Sequence, residues 1–161
     1  MTSEEVIQKL GLVPLPIEGG FFKETYRSDR SVESVLGKRT ESTAIYYLIT
    51  QDSFSALHMV DQEEIFHFYS GDEVEMFQIL PDGTSRTLII GSIEDGLEPQ
   101  VIVPRGVWQG TKLKFPGKDK WALLGCTVAP GFEYENFHLD SREVLQKRFP
   151  EHSKKIALFT V

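Results

Sequence analysis

Between Phe21 and Val128 the chain is a succession of short runs rich in β-branched and aromatic residues. They read "FFKETYR", "TAIYYLIT", "FSALHMV", "EIFHFY", "EVEMFQIL", "SRTLIIG", "PQVIVP", "VWQGTKLK" and "WALLGCTV". Turn signals such as Gly71-Asp72, Asp82-Gly83 and Pro116-Gly117 separate them, and no stretch between them leaves room for a helical period. Parallel strands need crossover helices, so closely spaced runs of this kind specify an antiparallel sandwich or barrel. Helical signals stand only at the ends. Thr2 and Glu5 form a capping-box pattern ahead of Val6, Ile7 and Leu10, with Gly11 placed to end the helix. Asp140 or Ser141 can cap a second helix through "REVLQKRF", which Pro150 stops. The expectation is one all-β domain over residues 1–161, with a short helix at each end.

Composition narrows the partners. A net charge of −7 disfavours nucleic acid and anionic membranes. No apolar run approaches the ~20 residues of a membrane span, and the first residues lack the apolar core of a signal peptide. The single cysteine, Cys126, lies in an apolar strand-like run and reads as a buried packing residue. Together these features lead us to expect a cytoplasmic protein.

The richest chemistry lies in "SALHMVDQEEIFHFYSGDEVEMFQIL", Ser55 to Leu80. Strand pleating sets Ala56, His58 and Val60 on one face, and Glu64, Phe66 and Phe68 on one face of the next strand. Ile65, His67 and Tyr69 then point the other way, so His67 is expected to face away from any site built on His58 and Glu64.

At these residues a family resemblance becomes specific. His58, Val60 and Glu64, followed after six residues by Gly71, resemble the first cupin motif. "VPRGVWQG", with Pro104, Gly106 and Gln109, resembles the second. Further likeness in "PIEGGFFKETYRS", "TAIYYLI" and "CTVAPGFEYENF" extends it from about Leu10 to Phe149. The chain is thereby similar to a branch of small single-domain cupins of largely unassigned function, related in fold to the dTDP-sugar 3,5-epimerases. The resemblance implies a jelly-roll β-barrel, a homodimer, and a small ligand such as a sugar or sugar nucleotide at the barrel mouth. "TAIYYLIT" and "FFKETYR" are the sheet edges expected to pair in that dimer.

Metal cupins use three histidines and a glutamate, whereas here Val60 and Gln109 hold two of those four positions. Valine has no donor atom and an amide oxygen is a poor substitute for imidazole, so no cofactor is expected. A weak divalent metal on His58 and Glu64 is the remaining metal-assisted alternative. The leading expectation is a metal-independent carbohydrate-type epimerase or isomerase, with His58 as base and Glu64 orienting its ring. The resemblance implies a tyrosine as the second proton carrier, for which Tyr26 and Tyr134 are the candidates. Gln109, Glu18, Trp108 and Glu133 are the candidate ligand contacts: Glu18 through the close approach that Gly19 and Gly20 allow, Trp108 by stacking on a sugar ring, and Glu133 from a loop near the mouth. A non-catalytic binding module for a sugar or small acid is the alternative from another class. A purely structural role is a further alternative, in which His58, Glu64 and Gln109 hydrogen-bond one another and stiffen the barrel. Lys23, Arg27 and Arg105 could meet a phosphate or carboxylate but read first as solvated cations, and His138 and His152 read as surface residues.

Overall fold

The computed structural model describes residues Met1–Val161. At the N-terminus the Thr2 hydroxyl accepts the Glu5 amide at 3.2 Å while the Glu5 carboxylate accepts the Thr2 amide at 2.8 Å. This capping box starts α1 (Ser3–Leu10), and Gly11 ends it in the left-handed region at φ 65°. The strands follow as β1 (Val13–Pro14), β2 (Phe21–Arg27), a β3–β4 hairpin (Ser31–Ser34 and Gly37–Thr40), β5 (Thr43–Thr50), β6 (Ser55–Val60) and β7 (Glu63–Gly71). Then come β8 (Val74–Ile79), β9 (Ser85–Ile90), β10 (Gln100–Val103), β11 (Trp108–Leu113), β12 (Trp121–Ala129) and β13 (Phe137–His138). Ser141 caps α2 (Arg142–Arg148), and α3 (Ser153–Leu158) closes the chain. The hairpin and α3 have no counterpart among the sequence expectations.

All the ladders are antiparallel. One sheet runs β1-β2-β5-β12-β7-β10 and the other β13-β6-β11-β8-β9, and the two face each other as a jelly-roll barrel. The largest apolar cluster, with Tyr47, Phe66, Met76, Ile90 and Leu124, fills the space between them. Two outer layers complete the packing. Val6 and Leu12 cover Leu48 on the outside of the first sheet. Leu145, Ile156 and Phe159 cover Leu57, Phe77 and Ile79 on the outside of the second. No helix is long and apolar enough to cross a membrane.

Three expectations need correction. "TAIYYLIT" is no edge: as β5 it lies between β2 and β12. Of the two segments, only β2 keeps an open edge, because β1 covers just Phe21 and Phe22 of it. His152 is largely buried, its Nε2 donating to the Gly83 carbonyl at 2.8 Å, because α3 draws it against the second sheet. His138 is half-exposed but pairs with Asp61 at 2.9 Å.

Candidate functional site

Pleating carries alternate residues of β5, β6, β7 and β12 into the barrel, where they enclose a cavity of about 370 Å³ between the two sheets. His58 and Val60 on β6 meet Glu64 and Phe66 on β7, so the two strands of the first motif converge. His67, on the opposite face, bonds Thr127 at 3.0 Å and Gln100 at 3.3 Å outside this cavity.

The His58 ring is fixed on two sides. Nδ1 lies 2.7 Å from the Ala56 carbonyl, which can only accept, so Nδ1 carries a proton. Nε2 accepts the Gln109 side-chain amide at 3.0 Å, and the ring stacks on Phe137 with centroids 5.0 Å apart. Gln109 therefore stands behind His58 rather than against the cavity, which corrects its expected ligand contact; its carbonyl accepts from Thr111 at 3.3 Å. The expected contact between Glu64 and the ring is also corrected: no hydrogen bond or ion pair joins them. Sequence alone pointed to a carboxylate as the orienting group, but a backbone carbonyl two residues away reaches Nδ1 first.

Glu64 is 7% exposed and its carboxyl faces the cavity without a hydrogen-bonding partner. Burial drives its pKa up to about 7, His58 draws it down and Glu18 raises it further. Glu18 is the second inner carboxylate, 3.7 Å from His58 Nε2 and accepting the Ser55 hydroxyl at 2.7 Å. Its backbone carbonyl accepts the Ala56 amide at 2.9 Å, which ties the loop to β6. The preceding Ile17 sits at φ 73°, an unfavourable conformation for a β-branched residue, in the turn that leads into Glu18.

The adjacent glycines approach protein rather than ligand. A Cβ on Gly19 would lie 2.2 Å from the Phe54 carbonyl oxygen. On Gly20, at φ 75°, a Cβ would lie 2.7 Å from three atoms of the Tyr47 side chain. Gly20→Ala is expected to destabilise the fold by about 1–2 kcal/mol through the left-handed conformation alone, and more if the Tyr47 ring cannot shift. An unchanged denaturant midpoint would contradict that packing.

Tyr47 is the tyrosine that sequence reasoning missed. It is buried in the cavity wall, its hydroxyl donates to the Gly19 carbonyl at 2.7 Å, and burial raises its pKa well above the usual value. Burial does the same to Cys126, so both stay protonated near neutrality. Tyr26 is not in the site. The β2–β5 register shifts between Glu24 and Tyr26, a bulge that reverses the facing of the residues beyond it. Glu24 and then Arg27 line the cavity, while Tyr26 points out, 54% exposed. Arg27 is thus no free cation, though its side chain stays 39% exposed. It donates twice to Glu24 at 3.0 Å, once to Glu133 at 3.0 Å and once to the Phe132 carbonyl at 3.1 Å. Tyr134 and Glu133 both line the mouth as expected. Trp108 neighbours Gln109 on β11 and so faces the other way. It is buried under α2 with Arg148 5.7 Å over its ring, and cannot stack on a ligand in the cavity.

At the four cupin ligand positions the residues do not fit a transition metal. Val60 offers no donor, the Gln109 amide is committed to His58, and nowhere do three His, Cys, Asp or Glu side chains gather closely enough to hold an ion.

Comparison with known proteins agrees with this architecture. Residues 4–140 match the family model described as "Cupin superfamily (DUF985)". An uncharacterized protein of Saccharomyces cerevisiae is 31% identical over 133 residues, covering 74% of this chain and 66% of that protein, just under two-thirds of its length. A hypothetical protein from Leishmania major superposes with a TM-score of 0.92 at 31% identity, covering 99% of both chains. A Shewanella oneidensis protein does so at 0.89 and 28% identity, covering 100% and 98%. Oxalate decarboxylase of Bacillus subtilis matches at a TM-score of 0.56 and 13% identity, over 92% of this chain and 37% of that one, a likeness of fold alone.

Proposed function

Because the chain belongs to the DUF985 family of the cupin superfamily, we propose that its barrel cavity binds a small molecule and carries out metal-independent proton transfer of the epimerase or isomerase type, on a compact carbonyl-bearing, carbohydrate-like substrate. The observation that carries this reading is Glu64. An acid whose pKa is held at about 7 inside a ligand-sized cavity can both give and accept a proton at neutral pH. His58 faces the same space and supplies the second proton-transfer group. In the proposed step one of the two removes the proton beside the carbonyl, and the other group, or Tyr134 at the mouth, returns a proton to that carbon. When His58 Nε2 takes up a proton, a half-turn of the Gln109 amide presents its oxygen to Nε2 and its N–H to the Thr111 hydroxyl, so the network serves both states of the ring. Gln109 is thus a positioning residue.

A second reading, a binding module without turnover, is favoured by one observation: the Nε2 lone pair already receives the Gln109 N–H. Deuterium uptake from solvent into a panel of keto and amino sugars, followed by NMR, separates the two. Uptake at the carbon beside the carbonyl supports proton transfer; binding without uptake would leave the module. For assembly, the open β2 edge from Lys23 to Arg27 supports a homodimer paired along that strand. The expected result is a dimeric mass by light scattering at micromolar concentration; a monomer there would refute it.

A further inference from the structure

The geometry points to a compact organic cation, an ammonium-bearing molecule, as the ligand class of the cavity, in place of a sugar nucleotide or a small acid. This rests on the cavity being the ligand site but not on any chemistry occurring there.

The charges facing the cavity are unbalanced. Glu18 and Glu64 lie inside, Glu24 and Glu133 at the mouth, and Arg27 is the only lysine or arginine lining it. Four of the five Arg27 N–H donors are already taken by Glu24, Glu133 and the Phe132 carbonyl, so it has little left to offer an incoming anion. Glu64 is the decisive group. It is more than nine-tenths buried, faces the cavity, and has neither a hydrogen bond nor an ion pair from the protein. Once ionised, above about pH 7, it is a buried carboxylate without a pair facing an internal cavity, which leaves the position of a cation open. Glu18 has the Ser55 hydroxyl on one oxygen, and His58 at 3.7 Å from that same oxygen. His58 itself, bonded to the Ala56 carbonyl and the Gln109 amide, adds no free donor. The aromatic walls suit the same ligand class: Phe22, Phe66, Phe132 and Tyr134 can receive the hydrocarbon body of an amine and face its charge. A phosphate or carboxylate would instead meet two inner carboxylates with no free cation. The diphosphate of a sugar nucleotide is the poorest match, and a volume of about 370 Å³ lies near the lower end of small-molecule cavities.

The test uses the full chain and three probes of matched shape: cyclohexylmethylammonium, cyclohexylmethanol and cyclohexanecarboxylate. Each is titrated above pH 7 while the methyl resonances of Val60 and Val128, both in the cavity wall, are followed by NMR. The ammonium is expected to bind at least about tenfold more tightly than the alcohol, and the carboxylate more weakly than the alcohol. In Glu64→Gln the ammonium should fall to within about threefold of the alcohol, whose own affinity should hold; Glu18→Gln should narrow the same gap. Carboxylate binding as tight as ammonium binding, or no methyl shift with ammonium at about 50 mM, would overturn the inference. A preference for ammonium with no deuterium uptake would sink proton transfer and leave this inference standing. Uptake together with a preference for the acid would do the reverse.

Discussion

Glu64→Gln is expected to make the protein more stable than the wild type by about 3 kcal/mol above pH 7, and no more stable below about pH 4.5. The shift from 4.5 to about 7 corresponds to that energy at 1.36 kcal/mol per unit. Across this interval the folded chain binds a proton that the unfolded chain has already released, so wild-type stability falls as pH rises from about 4.5 to 7. Glutamine keeps the shape and polarity of the protonated acid without a charge to bury. Tyr47 and Cys126, both pushed up by burial, lose their protons well outside this interval and leave it clear. The measurement is the difference in urea unfolding free energy between the two proteins across the pH range. Parallel curves would show that Glu64 is ionised without penalty, and would remove the basis for its role as a proton carrier. The same substitution should erase the limb near pH 7 from any pH–rate profile.

His58→Asn should lower solvent exchange into the substrate by about 10²–10⁴-fold while leaving affinity within roughly tenfold. Asparagine keeps some hydrogen bonding toward Ala56 and Gln109 but has no site that accepts a proton near neutrality. Exchange that persists in the variant would assign the base role to Glu64 alone. A loss of affinity with no exchange in either protein would favour the binding module.

How much of this was legible depended on whether neighbours in sequence decide the outcome. The Thr2–Glu5 capping box is local, and it forms as read. The convergence of His58 with Glu64, and the outward turn of His67, follow from pleating, because the register shift in β6 falls before His58 and that in β7 after His67. Tyr26 was misplaced because one bulge at Thr25 reverses every side chain after it, and nothing in "FFKETYR" announces a bulge. The same event hid Arg27. Tyr47 was hidden for another reason: both faces of β5 are apolar, the inner against the barrel and the outer against α1, so alternation could not tell Tyr46 from Tyr47. Trp108 shows the converse. Pleating alone separates it from its neighbour Gln109, and the missing knowledge was that α2 and α3 would bury that outer face. The partner of His58 was a backbone carbonyl, which every residue carries and no motif can single out.

Arg27 also has a kinetic consequence. Through Glu133 and Phe132 it fastens β2 to a loop more than a hundred residues further on, across the cavity mouth. Its own side chain is 39% exposed and that of Glu133 46%, so each pair contributes only about 0–1 kcal/mol and is screened by salt. The fastening works as a latch with a weak spring. Entry and escape of a neutral ligand should both quicken as ionic strength rises, with little change in their ratio, so that electrolyte sets residence time without setting occupancy.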